Sequence, residues 1–297
     1  MWRSIPAHSR SVFLVLGALW LARRAEASPD TLLVVRVDTT QRHALLHLPP
    51  AAAAGNPLPL VIAFHGAQGT AQGFRNGTGL NDAADMRGVL VAYPDAPLGN
   101  WAEDCGCNNA DRLGANDTGF VRALIDSIAR IAPLDRKRIY AVGFSQGALF
   151  TMRLGCQLAE RIAAVAGVAG AMSAPLSERC RPIRPIATLW VVGKNDSVFP
   201  YVGSGSRRSR LLGVEATFRH WLTLDRCQSF AAEPALGGAG GGVIERRSGR
   251  GCADGVEVSL YAARAGGHAW RVSPVLDTNQ LLLDFFQRHR LPEPGVN

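Results

Sequence analysis

Lysine is nearly missing from this 297-residue chain: Lys137 and Lys194 are the only two, so arginine supplies almost all of the 32 basic side chains. Aromatic residues are also few, at 7%. The arginines gather in loop-like stretches such as 205–210 and 245–250, without the basic stripe interleaved with aromatics that a nucleic-acid binder shows. No nucleic-acid partner is therefore expected. The apolar run 11–22 is too short to span a bilayer comfortably. The chain has no internal repeat and no Pro-, Thr- or Ser-rich linker to an appended module. Its one C-x-C pair, Cys105 and Cys107, lacks the second pair or the histidines that a zinc site would need at ligand spacing. The glycines of 237–242 do not follow a strand and open a helix, as a phosphate or dinucleotide cradle would. Neither a cofactor nor a metal is expected.

What is present is a hydrophobic fraction of 47%, enough for a substantial core. Arg3 and Arg10 precede the apolar run, and Ala25-Glu26-Ala27 puts small residues at the two positions that define a leader-cleavage site. A signal peptide over 1–27, cut after Ala27, is the favoured reading, with retention as an anchor the other one. A catalytic domain then fills 28–297, and no stable membrane insertion follows removal of the leader. Arg23 and Arg24 follow the run rather than precede it, so a twin-arginine signal is not indicated. The leader takes three net positive charges from the formal +8 and leaves about +5. The destination is extracytoplasmic, either secreted or periplasmic. Six cysteines in an exported chain point to disulfides, although spacing alone cannot pair them. Cys227 and Cys252 flank a glycine-rich stretch that they could clamp.

Short apolar strands are predicted at 31–37, 42–48, 59–65, 88–93, 138–144, 162–169, 187–193 and 256–262. Helices are predicted at 117–131, 146–159, 211–224 and 276–289. Strand and helix alternate from residue 59 onward. That pattern predicts an α/β fold, a mostly parallel central sheet with helices on both faces and an antiparallel start. The tract 235–242, "ALGGAGGG", reads as a flexible surface loop.

The chemistry centres on "GFSQG", 143–147. It fits G-x-S-x-G between a strand pattern and a helix pattern, the setting of a nucleophile elbow. A serine at its ordinary pKa needs a base, and in this fold the chain order is serine, acid, histidine. After Ser145, His220 and His289 sit in helical patterns, whereas His268 lies in the glycine loop "RAGGHAW". Asp196 follows the strand 187–193, while Asp225 and Asp254 read as helix and turn residues. Ser145, Asp196 and His268 are therefore the candidate nucleophile, acid and base. The oxyanion donors expected are the N–H of Gln146 and, from "FHGAQGT" (64–70), that of Ala67, with Gln68 behind it. His65 reads as structural.

The segments "FHGAQGTAQGF", "RGVLVAYPDA", "DRKRIYAVGFSQGALFTMRL", "VVGKNDSVFPY" and "GGHAW", in this order, resemble the secreted α/β-hydrolase esterases grouped as polyhydroxybutyrate depolymerases and feruloyl or acetylxylan esterases. The resemblance covers about 30–290 and implies the α/β-hydrolase fold and the same triad. It further implies Trp270 as an aromatic wall of the substrate site; Trp101, Phe199 and Tyr201 are further candidates to line the same cleft. The family commonly has adjacent cysteines where this chain has Cys105-Gly-Cys107, and often Asn where it has Gln146. By the same likeness Cys227 pairs with Cys252, and Cys105 and Cys107 pair with Cys156 and Cys180.

The expected function is an exported serine ester hydrolase acting through an acyl-enzyme on hydroxycinnamoyl or acetyl esters of plant polysaccharide. Polyhydroxybutyrate oligomers are the alternative substrate. A non-catalytic binding protein with this fold would be expected to lack a triad member, and all three are present. Acyl transfer to an alcohol would use the same residues.

Overall fold

The computed structural model describes Met1 and residues 30–206, 209–238 and 242–293. The cleavage position after Ala27 lies outside the described residues. The strands are β1 (Thr31–Val37), β2 (Thr40–His47), β3 (Leu58–Phe64), β4 (Leu90–Pro94), β5 (Leu134–Phe144), β6 (Ala164–Val168), β7 (Ala187–Gly193), β8 (Ser204–Ser206), β9 (Ser209–Leu211), β10 (Ser229–Gly238), β11 (Gly242–Arg250) and β12 (Val258–Ala263). The helices are α1 (Ala71–Thr78), α2 (Leu80–Arg87), α3 (Asn109–Arg112), α4 (Asp117–Ile131), α5 (Gln146–Gln157), α6 (Ala174–Arg179), α7 (Val214–Leu224) and α8 (Thr278–Gln287).

Ten strands form one sheet in the order β1-β2-β4-β3-β5-β6-β7-β12-β11-β10. The six from β4 to β12 in that order run parallel, and antiparallel strands finish both edges. Sequence pattern explains the division. β4, β6 and β7 are buried at every residue, as strands covered on both faces must be. β1 instead alternates exposed and buried from Leu32 on, the period of a strand with one wet face. One core layer packs Phe120, Leu124 and Ile128 of α4, Phe150 of α5 and Trp221 of α7 against the sheet. The other packs Leu80 of α2 and Leu282, Phe285 and Phe286 of α8 against the opposite face. Because the central strands are parallel, the loops after β3, β5, β7 and β12 all open on one rim.

Two expectations are corrected. The tract 235–242 is not simply a loop: 235–238 complete β10, and Gly242 opens β11, whose residues 244–248 pair with 259–263 of β12. The Cys227–Cys252 disulfide brackets the open end of this hairpin, as expected of that pair. The cross-pairing of Cys105 and Cys107 with Cys156 and Cys180 does not occur; each pair closes on itself. The Asp111 carboxylate accepts the N–H groups of Asp104, Cys105 and Gly106, and this tight nest brings the two ends of the C-G-C together. Cys156 ends α5 beside Cys180, the C-cap of α6. Among the described residues no helix is long and apolar enough to cross a membrane.

Candidate active site

Ser145 occupies the turn between β5 and α5 with φ 56° and ψ −122°, a left-handed conformation that a side-chain-bearing residue adopts only under constraint. The constraint is close packing. A Cβ on Gly143 would lie 2.0 Å from the carbonyl oxygen of Gly147, and one on Gly147 would lie 2.4 Å from that of Phe64. Only glycine fits at either position, so both glycines of the motif are fixed by contact distance. The Ser145 N–H donates to the Val168 carbonyl at 2.9 Å, which ties the elbow to β6.

His268 joins the other two candidates. Its Nδ1 lies 2.8 Å from Asp196 Oδ2, and its Nε2 lies 2.9 Å from Ser145 Oγ. The second carboxylate oxygen of Asp196 accepts the N–H groups of Val198 and Phe199, each at 2.8 Å. The carboxylate is thereby held in one orientation, and its side chain is only 2% exposed. Asn195 instead donates its backbone N–H to the Gly266 carbonyl and is exposed. Phe199 stacks on the imidazole at 5.6 Å, and Phe144 tilts against it at 5.0 Å. Of the other two histidines that follow Ser145, half-buried His220 lies in α7, and His289 pairs with Glu257.

A Cβ on Gly66 would sit 3.1 Å from the Ser145 Cβ, so the 65–70 loop passes against the elbow. His65 is buried, and its Nε2 accepts the Ala96 N–H at 3.2 Å. That leaves the proton on Nδ1, which donates to the Gly66 carbonyl at 2.7 Å. Burial also lowers the His65 pKa, in keeping with a neutral ring. The Gly69 N–H donates to the same carbonyl at 3.0 Å. In a trans peptide the carbonyl and the following N–H point opposite ways, so pinning Gly66 C=O turns the Ala67 N–H away from this pair.

Sequence gave no hint of what the Gln146 side chain does. It accepts the Trp101 N–H at 3.1 Å and donates to the Trp101 carbonyl at 2.9 Å. The Trp101 indole N–H in turn donates to the His65 carbonyl at 2.9 Å. A continuous chain of hydrogen bonds therefore runs from Gln146 through Trp101 and His65 to the peptide that carries the Ala67 N–H. Trp101 has no exposed surface and stacks on Phe150 with centroids 5.3 Å apart. The expectation that it lines the substrate site is corrected: it braces the site from behind. Tyr201 is half-buried, and its hydroxyl donates to Glu215.

The cavity beside the elbow has a volume of about 450 Å³. Trp270 does line it, with its indole N–H held by Asn279 at 2.8 Å. Phe74 and Phe144, neither of them expected there from sequence, complete an aromatic wall; Phe74 meets Trp270 edge to face at 5.2 Å. The signal for Phe74 was present in the helical spacing of "TAQGFRNGT", but nothing in one sequence says which face of that helix meets the site. Behind the brace, Glu103 is buried, and its Oε2 has no hydrogen-bond partner among the described residues. Burial first, and the charge of Asp111 second, push its carboxyl up to about 8. Glu103 clusters with Cys105 and Cys107, but the two sulfurs are bound to each other and so are not thiolate ligands.

A mostly parallel sheet with this serine elbow is the α/β-hydrolase fold, and solved structures share it. Acetyl xylan esterase from Aspergillus awamori matches with a TM-score of 0.59 at 15% identity, covering 86% of this chain and 99% of that one. Residues 42–178 match the family model described as esterase PHB depolymerase. The putative esterase NocK of Nocardia uniformis subsp. tsuyamanensis is 28% identical over 260 residues, 83% of this chain and 75% of the relative. Feruloyl esterase B of Piromyces equi is 31% identical over 239 residues, 77% of this chain but only 42% of the relative. The chain is similar to these esterases along most of its length and is an ester hydrolase.

Proposed function

We propose that the chain is an exported serine carboxylic-ester hydrolase that works through an acyl-enzyme on Ser145. The observation that carries this reading is His268, hydrogen-bonded to Asp196 through one ring nitrogen and to Ser145 through the other. Ser145 Oγ attacks the ester carbonyl as its proton passes to His268 Nε2. Asp196 keeps Nδ1–H oriented and stabilises the imidazolium. The carbonyl oxygen becomes an oxyanion between the N–H groups of Ala67 and Gln146. Collapse breaks the ester C–O bond, and the departing alkoxide takes the proton from Nε2. Water then enters, gives a proton to Nε2 and attacks the acyl carbon, releasing the acid and restoring Ser145.

The substrates proposed are hydroxycinnamoyl or acetyl esters carried by plant polysaccharide. The names of the feruloyl and acetylxylan esterase relatives support this class, as does the aromatic cavity beside Ser145. Polyhydroxybutyrate oligomers are the second reading, favoured by the family model. The three disulfides support export to an oxidising compartment. The test is hydrolysis of p-nitrophenyl acetate by the wild type and Ser145→Ala. A loss on the order of 10⁴-fold or more in kcat is expected, and equal rates would overturn the assignment. Methyl ferulate, p-nitrophenyl butyrate and a hydroxybutyrate trimer then separate the substrate classes.

A further inference from the structure

Helix α1 turns one face to the cavity, and that face carries two glycines. Thr70, Gly73, Phe74, Gly77 and Thr78 line the cavity at the spacing of one helix side. A glycine inside a helix costs about 1 kcal/mol relative to alanine, and α1 has two within eight residues. Close packing does not explain them. A Cβ on Gly77 would meet no heavy atom within 4 Å, and one on Gly73 would meet only the Thr70 hydroxyl, at 3.1 Å. Backbone conformation does not explain them either, since neither has a positive φ. The contrast with Gly143 and Gly147, which backbone contacts forbid from changing, is complete. A local cost with no packing or conformational cause points to function, and what these glycines provide is space.

That space has a shape. Gly73 and Gly77 are about 6 Å apart along the helix axis and leave a flat strip of bare backbone. Phe144 and Trp270 belong to the same cavity, their centroids 6.5 Å apart and their planes inclined at 69°. An open, largely apolar slot lined by Phe74, Phe144 and Trp270 beside an ester-cleaving serine has room for a planar conjugated group; an acetyl group would leave it unfilled. We propose that Gly77, with Gly73, is the specificity-determining wall of the acyl pocket, kept bare to admit a planar aryl or arylpropenoyl acyl group. The inference rests on the reading of Ser145 as nucleophile.

The test compares p-nitrophenyl ferulate with p-nitrophenyl acetate, which share an alcohol, in the wild type, Gly77→Ala and Gly77→Leu. The ratio of kcat/KM for ferulate to that for acetate should fall roughly tenfold or more with leucine, as for a few misplaced methylenes in a pocket, and by less with alanine. An unchanged ratio overturns the proposal. So does a discrimination that follows the alcohol when the acyl group is held as acetate. Calorimetric binding of ferulate itself reads the slot without turnover: Gly77→Leu should weaken it at least tenfold, and equal binding overturns the proposal. A wild type that cleaves neither ester yet binds ferulate in this Gly77-dependent way would sink the hydrolase reading and leave the slot standing.

Discussion

The wall with the two proposed N–H donors and the wall formed by α1 are built by opposite rules. On the donor side each polar group is fastened to another: Gln146 to Trp101, Trp101 to His65, and His65 to Gly66. On the α1 side two positions are stripped of side chains altogether. The difference follows from what each side does. Donors aimed at a developing oxyanion lower the barrier only if they need not reorganise when charge appears. A surface that selects an acyl group must leave its volume free. Stability is spent in both places, as buried ordering on one side and helix propensity on the other. The largest expected effect lies on the fastened side. Asp196→Asn keeps the shape of the carboxylate but offers Nδ1–H a neutral partner, and kcat for p-nitrophenyl acetate should drop by about 10³–10⁴-fold. A loss below tenfold would show that the base does not depend on this residue.

Trp101→Phe tests the brace itself. Phenylalanine keeps a ring against Phe64 and Phe150 and removes only the donor to the His65 carbonyl. Loosening a donor loop by a fraction of an ångström should cost about 10- to 100-fold in kcat, with KM changing far less, because the ground-state ester gains little from a well-placed hole. Binding of a trifluoromethyl ketone, which forms an oxyanion on Ser145, should weaken by the same factor as kcat/KM. Stability should fall by about 1–3 kcal/mol, the penalty for a buried acceptor left unpaired. If KM rises while kcat holds, Trp101 acts on substrate binding and the brace is refuted.

Much of this site was legible in the chain because its constraints are local or ordered along it. Ser145 was found from the glycines that the elbow requires, and Asp196 and His268 from chain order and from their position after apolar strands. The parallel core was legible for the same reason: β4, β6 and β7 are apolar throughout. What sequence missed depends on meetings across the fold. The Gln146–Trp101 link joins residues 45 apart, and nothing in either neighbourhood announces it. Trp101 was assigned to the cleft because it is aromatic and near the motifs, whereas its ring fills the core behind the elbow. The cysteine pairing failed because Asp111, six residues beyond Cys105, folds the C-G-C back on itself. The β10–β11 hairpin was hidden by its glycine-rich sequence, which reads as loop until β12 supplies an edge to pair with.

The smallest effect predicted comes from Glu103, behind the donor wall, and it is a dependence on pH. Burial and the neighbouring Asp111 raise its carboxyl to about 8. A carboxyl whose pKa is higher folded than unfolded binds its proton more tightly in the folded state. Stability therefore falls as pH rises from about 4.5, where the unfolded chain ionises, to about 8, and is level beyond. Asp225, raised to about 7 by burial, adds a fall of the same sign, and Glu257, lowered to about 2, contributes only at acid pH. Glu103→Gln removes one of these contributions and leaves the others in place. The difference in Tm between Glu103→Gln and the wild type should thus move steadily in favour of the variant between pH 5 and pH 8 and then stop changing. A difference flat across that interval would mean that Glu103 is already ionised at pH 5 and that the space behind the brace is wetter than its burial indicates. The donor wall would then be less rigidly backed than its hydrogen bonds imply, and the contrast with the bare α1 face would shrink accordingly.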